Sequence, residues 1–198
     1  MKKTILVLIL VGMFGWAVYD LTDNKETVKS DFETMNESEV ETGENQSVAS
    51  EEEQDTGNIG LQVGNEAPNF SLETLSGEKV QLADYRGQRI MLNFWATWCP
   101  PCRAEMPDMQ KFYEDTDVQI LAVNLTESEA ARQDVVDFVE EYGLTFPILM
   151  DENTNVATKY AIRPIPTTYM IDSSGIIQQK SFGPLNYEQM VQALNVMD

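Results

Sequence analysis

The chain has 198 residues, with 13 Lys and Arg against 33 Asp and Glu, no histidine and two cysteines. A formal net charge of −20 excludes nucleic-acid partners, whose phosphates need a basic surface to release counterions. Without an imidazole there is no Ser-His-Asp triad, no HExxH zinc site and no CxxCH haem-attachment motif, and two cysteines cannot complete a Cys₄ zinc site.

Lys2 and Lys3 precede an apolar run from Ile5 to Tyr19. A signal peptide opens the same way but ends in a small-x-small cleavage site. Here Ala17 is followed two positions later by Tyr19, and no cysteine follows for lipid attachment. Thr4 to Leu21 as a helix spans roughly 27 Å, against a hydrocarbon core of ~30 Å. Residues 1–21 are therefore read as an uncleaved signal anchor, in preference to a cleaved signal or a buried core helix. With the lysines inside, the rest of this single-pass chain lies on the extracytoplasmic side of the cell membrane.

Residues 22–60 read as an acidic disordered linker. From Asp20 to Asn58 thirteen carboxylates stand against Lys25 and Lys29, so this stretch carries over half of the chain's net charge. Its few apolar residues follow no period and cannot offset the entropy of ordering. About 40 flexible residues span roughly 35 Å, and further with self-repulsion. A solvated spacer is the plain reading, an acidic docking segment the other.

Residues 61–198 have a globular pattern. Phe70–Leu75 and Lys79–Leu82 flank Ser76-Gly77 and predict a β-hairpin. Arg89–Ala96 is a continuous apolar run, as in a strand covered on both faces. A helix is expected from the cysteines to about Glu114, then a buried strand at Val118–Asn124. Ala130–Tyr142 places Val135, Val136, Phe138, Val139 and Tyr142 on one helical stripe, ended by Gly143. Phe146–Met150 is a third buried strand. A short helix at Asn155–Tyr160, a hairpin of Thr167–Ile171 and Ile176–Ser181, and a helix from Tyr187 complete the order. Alternating strands and helices that finish in a hairpin predict an α/β fold, a central mixed sheet flanked by helices.

Chemistry concentrates in Asn93–Pro107, NFWATWCPPCRAEMP. Cys99 and Cys102 stand where a buried strand gives way to a helix, with Pro100 and Pro101 at first-turn positions that tolerate proline. Cys99 is thus expected as the N-cap residue, its sulfur open to solvent near the positive end of the helix dipole, which favours thiolate over thiol. The prolines remove two amide donors that could solvate the sulfur, so the shift is expected to be moderate and the protein a weak oxidant, better at reducing its partners. A purely structural disulfide here would close a loop of four residues, for which chain entropy supplies only about 2 kcal/mol. Glu105, one turn beyond Cys102 on the same face, can accept the Cys102 proton, or be an ordinary solvated carboxylate. Trp95 is read as core and Trp98 as part of a docking surface. Pro107 is expected to kink the helix.

FWATWCPPC, a helix with an internal proline, and Arg163-Pro164-Ile165-Pro166-Thr167-Thr168 together resemble thioredoxin-fold proteins. More narrowly, the chain is similar to the membrane-anchored ResA/TlpA-like thiol-disulfide oxidoreductases. The likeness runs from about Leu61 to the C-terminus and includes the N-terminal hairpin and a helix inserted after the strand ending at Asn124. It implies a thioredoxin-like fold and a redox disulfide between Cys99 and Cys102. It also implies a cis Pro166 facing the cysteines, which the sequence alone does not single out, since only about 5–6% of X–Pro bonds are cis. By the same resemblance Glu105 is the active-site glutamate, and the backbone of Ile165 pairs with substrate. Trp98, Pro100, Pro101, Ile165, Pro166 and Thr167 are expected to form the substrate surface. The buried aspartate of cytoplasmic thioredoxin aligns with Asn93, which cannot take a proton.

The implied activity is a protein-disulfide reductase needing no cofactor or metal. Its implied partners are oxidised exported proteins, above all the CxxCH motif of apocytochrome c during cytochrome c maturation, and a CcdA/DsbD-type membrane dithiol protein as reductant. Three other readings stay open: a reductase for endospore or cell-envelope proteins, a peroxiredoxin-like thiol peroxidase, and a redox-inactive binding domain. The peroxidase motif needs a proline six or seven residues before its cysteine, where this chain has Asn93 and Leu92.

Overall fold

The computed structural model describes residues 58–197. The expected anchor and nearly all of the acidic linker lie outside the described residues. Within those described, no helix is long and apolar enough to cross a membrane. Asn58 is tied into the fold through its carbonyl, which accepts from Glu66 N–H at 3.2 Å.

Strands β1 (Ser71–Thr74) and β2 (Lys79–Gln81) form the N-terminal hairpin. Gly77, at φ 90°, supplies the left-handed turn residue that a side chain would disfavour. Then follow β3 (Ile90–Trp95), helix α1 (Pro100–Asp115), β4 (Gln119–Asn124), α2 (Arg132–Tyr142), β5 (Ile148–Met150), α3 (Asn155–Lys159), β6 (Thr167–Ile171), β7 (Ile177–Phe182) and α4 (Tyr187–Leu194). The sheet order is β2-β1-β5-β4-β3-β6-β7. The central β3, β4 and β5 are parallel, and the strands on either side are antiparallel to their neighbours. The expected hairpin thus also extends the sheet, through β1 on β5.

Every residue of β3 is buried, because helices cover both faces of the sheet. Strand alternation sends Met91, Asn93 and Trp95 to one face and Leu92 and Phe94 to the other. On the first face they meet Met106, Met109 and Phe112 of α1, Val135 and Phe138 of α2 and Met190 of α4. On the second they meet Leu121, Val123, Leu149, Tyr160 and Tyr169. Helix α2 ends where Gly143 adopts the left-handed conformation at φ 61°, as its sequence position predicts. Two devices fasten the second face. Tyr160 donates to the Pro68 carbonyl at 2.7 Å, and buried Asp151 accepts from Val156 and Ala157 N–H at 3.3 and 2.7 Å, capping the short α3.

Candidate active site

The reactive pair sits where β3 hands over to α1, above the C-terminal edge of the parallel strands. Cys99 has extended backbone at the N-cap, with Pro100 and Pro101 opening the helix. Its carbonyl accepts from Arg103 N–H at 3.0 Å, the first helical hydrogen bond. The prolines have no N–H, so the first amide available to the sulfur is that of Cys102, which donates to Cys99 Sγ at 3.2 Å. Cys99 and Cys102 are joined by a disulfide with Cα atoms 5.3 Å apart. Helix α1 continues through Pro107 to Asp115.

Facing the disulfide is the segment that leads into β6. The Ile165–Pro166 peptide bond is cis, and Cys99 Sγ lies 3.7 Å from the Ile165 carbonyl oxygen. Among the described residues the Ile165 N–H has no hydrogen-bond acceptor. Thr167 is turned inward, its hydroxyl donating to the Pro164 carbonyl at 2.8 Å. Trp98 is 55% exposed, and Pro100 and Pro101 are exposed beside it.

One expectation is corrected. Cys99 is not an open sulfur: in the disulfide state the residue is only 3% exposed, because the Ile165 side of the cis-proline segment closes over it. Approach is across the exposed rim of Trp98 and the two prolines.

Glu105 is also not a solvated carboxylate. It lies on the core-facing stripe of α1 with Cys102, Met106, Met109 and Phe112 and is 1% exposed. Neither carboxylate oxygen has a partner of normal hydrogen-bond geometry. Burial therefore pushes its pKa from 4.5 up to about 8, while the peptide of Leu185 and the Asn93 amide pull it partway back. A carboxyl group poised near neutrality, on the same helix face as Cys102, can take up and give back a proton at physiological pH. Asn93 lies on the α1 side of β3, and its Nδ2 donates to Thr168 Oγ1 across the β3–β6 pair at 3.0 Å.

The structure thus gathers Cys99, Cys102, Ile165, Pro166, Thr167, Trp98 and the two prolines at one end of the sheet, with Glu105 behind them. Reading the residues did not find the Asn93–Thr168 pair or the part played by Leu185. A signal for the first was present: Asn93 is a polar residue in an otherwise apolar buried strand, and such a group needs a polar partner. Leu185 lies in a loop and carries no such mark. Among the described residues no group of side chains is disposed to hold a metal ion.

The sequence model of the AhpC/TSA family matches residues 63–180. Thioredoxin-like protein YneN of Bacillus subtilis is 37% identical over 97% of this chain and 95% of its own length. Thiol-disulfide oxidoreductase ResA of Halalkalibacterium halodurans is 46% identical over 65% of this chain and 73% of its own. The crystal structure of StoA from Bacillus subtilis superposes with a TM-score of 0.58 at 35% identity, over 64% of this chain and 96% of that one.

Proposed function

The chain belongs to the AhpC/TSA family, and from its likeness to named thiol-disulfide oxidoreductases we propose that it reduces disulfides of exported proteins on the outer side of the membrane. The observation that carries the reading is the Cys99–Cys102 disulfide at a helix N-terminus, backed by a buried carboxyl group with a pKa of about 8. The disulfide is the product state of the proposed half-reaction. In the dithiol state the Cys99 thiolate attacks one sulfur of a substrate disulfide. A Cys99–substrate bond forms, the substrate S–S bond breaks, and the departing thiolate takes a proton. Cys102 gives its proton to the Glu105 carboxylate and attacks Cys99 Sγ. The Cys99–Cys102 bond forms, the Cys99–substrate bond breaks, the second substrate sulfur leaves as a thiolate and takes a proton, and two electrons have passed to the substrate.

The free N–H and nearby carbonyl of Ile165 offer an extended substrate chain a strand partner beside the sulfur. Trp98, Pro100 and Pro101 supply the surrounding contact surface, with Pro166 and Thr167 behind. The proposed substrate is the oxidised CxxCH motif of an apocytochrome c, with an endospore or cell-envelope protein as the alternative, and a CcdA/DsbD-type membrane protein restores the dithiol. In this scheme residues 1–21 hold the catalytic domain at the membrane and the acidic segment gives it reach. A peroxidase reading has family membership in its favour, but Leu92 and Asn93 stand where its motif needs proline.

The deciding experiment is capture of mixed disulfides in cells producing the Cys102→Ala full chain. An apocytochrome c bound through Cys99 is the expected product, and Cys99→Ala is expected to capture nothing. Continued turnover by Cys102→Ala, or rapid peroxide consumption by the unaltered protein, would overturn the scheme.

A further inference from the structure

Thr97 and Trp98 lie between the end of β3 and the start of α1, outside any regular element. Such a segment keeps a fixed shape only if side chains hold it. The turn following β4 does so. Thr97 N–H donates to Glu129 Oε1 at 2.8 Å, and the Thr97 hydroxyl donates to Oε2. Asn124, fully buried at the end of β4, donates from Nδ2 to the same Oε1 at 2.8 Å. Asn124 is in turn oriented by the Thr126 hydroxyl, which donates to its Oδ1 at 3.1 Å. A carboxylate only accepts, so one Glu129 side chain collects three donors, two of them from Thr97.

The next residue is held by the same turn. Trp98 Nε1–H donates to Ser128 Oγ at 3.2 Å, and Ser128 spends its own proton on the Leu125 carbonyl at 2.7 Å, leaving a lone pair for the indole. Cys99 is fixed by different means: its N–H donates to the Ala96 carbonyl at 3.3 Å, and its carbonyl opens α1. Glu129 thus holds the residue just before Trp98, and Ser128 holds the indole of Trp98 itself, a large apolar side chain exposed beside the disulfide. An aromatic side chain binds a protein partner more tightly when it need not be ordered on contact.

We infer that Glu129 and Ser128 are positioning residues that hold Trp98 as a rigid wall against which a polypeptide substrate docks. The inference rests on the docking role proposed above for Trp98. It gives a function to the turn between β4 and α2.

The test is single-turnover oxidation of the reduced full chain, with insulin as the polypeptide disulfide and glutathione disulfide as the small one. Glu129→Ala is expected to raise the half-saturating insulin concentration about tenfold, the scale of losing charge-assisted hydrogen bonds. Its rate with glutathione disulfide should fall several-fold less. Glu129→Gln keeps an oxygen for Thr97 N–H and Asn124 and should recover most of the loss, whereas Ser128→Ala, which removes the indole's acceptor together with the bond to the Leu125 carbonyl, should cost about threefold. An Ala variant matching the unaltered protein on insulin, or losing equally on both disulfides, would overturn the inference. If Glu129→Ala does not fold, an unchanged insulin half-saturation in Ser128→Ala overturns it instead. Trp98→Ala separates the two claims. No effect there removes the docking role itself, and a clear effect there with none in Glu129→Ala or Ser128→Ala removes only the clamp.

Discussion

Glu105→Gln isolates the energetics of the buried carboxyl group, because glutamine keeps its shape and removes only its ionisation. The folded-state pKa of about 8 stands against 4.5 for the unconstrained group. The folded chain therefore holds the Glu105 proton where the unfolded chain releases it, and stability falls as pH rises between those two values. Each tenfold difference in proton affinity between the two states corresponds to about 1.4 kcal/mol. The unaltered protein should lose about 2.5 kcal/mol from this residue between pH 5 and 7, and about 4 kcal/mol between pH 5 and 9. At pH 5 Glu105 is protonated in the fold, so Glu105→Gln should be close to the parent in stability; at pH 9 it should be the more stable of the two by several kcal/mol. Urea unfolding of both oxidised proteins at the three pH values measures this, and every other titrating group cancels in the difference. A stability difference that does not change with pH would show that Glu105 is ionised in the fold and would remove the physical basis of its acid–base role. In the same variant the resolving step should slow markedly, since Cys102 loses its proton acceptor.

The remaining expectations concern the surroundings of that carboxyl group and the frame that holds it. The Asn93 amide lowers the Glu105 pKa; Asn93→Ala should therefore raise it, and the pH dependence of the resolving step, followed by stopped-flow, should move to the alkaline side. An unmoved profile would mean that Asn93 does not act on Glu105. Tyr160→Phe removes the hydroxyl that donates to Pro68 and leaves a carbonyl without its partner, with a loss of about 1–2 kcal/mol in chemical denaturation; an unchanged unfolding midpoint would show that water replaces the bond freely.

The sequence by itself determined the order of elements, because each announces itself through local periodicity: the buried run of β3, the stripe of α2 and its stop at Gly143, the closing hairpin. It also located the reactive pair, since CPPC at a strand-to-helix junction is a local signal and helix capping is decided by adjacent residues. Tertiary structure decided what long-range packing controls. The pairing of β1 on β5 depends on strands more than seventy residues apart, and no residue of the hairpin encodes it alone. Glu105 shares the spacing of Cys102, Met106 and Met109 along α1, yet a glutamate on that stripe reads equally as solvated until the sheet and the loop at Leu185 are seen to enclose it. Its altered proton affinity comes from that enclosure, through the water excluded around the group, and a linear chain carries no direct record of it. The cover over Cys99 has the same origin: Ile165 approaches it only once β6 pairs with β3.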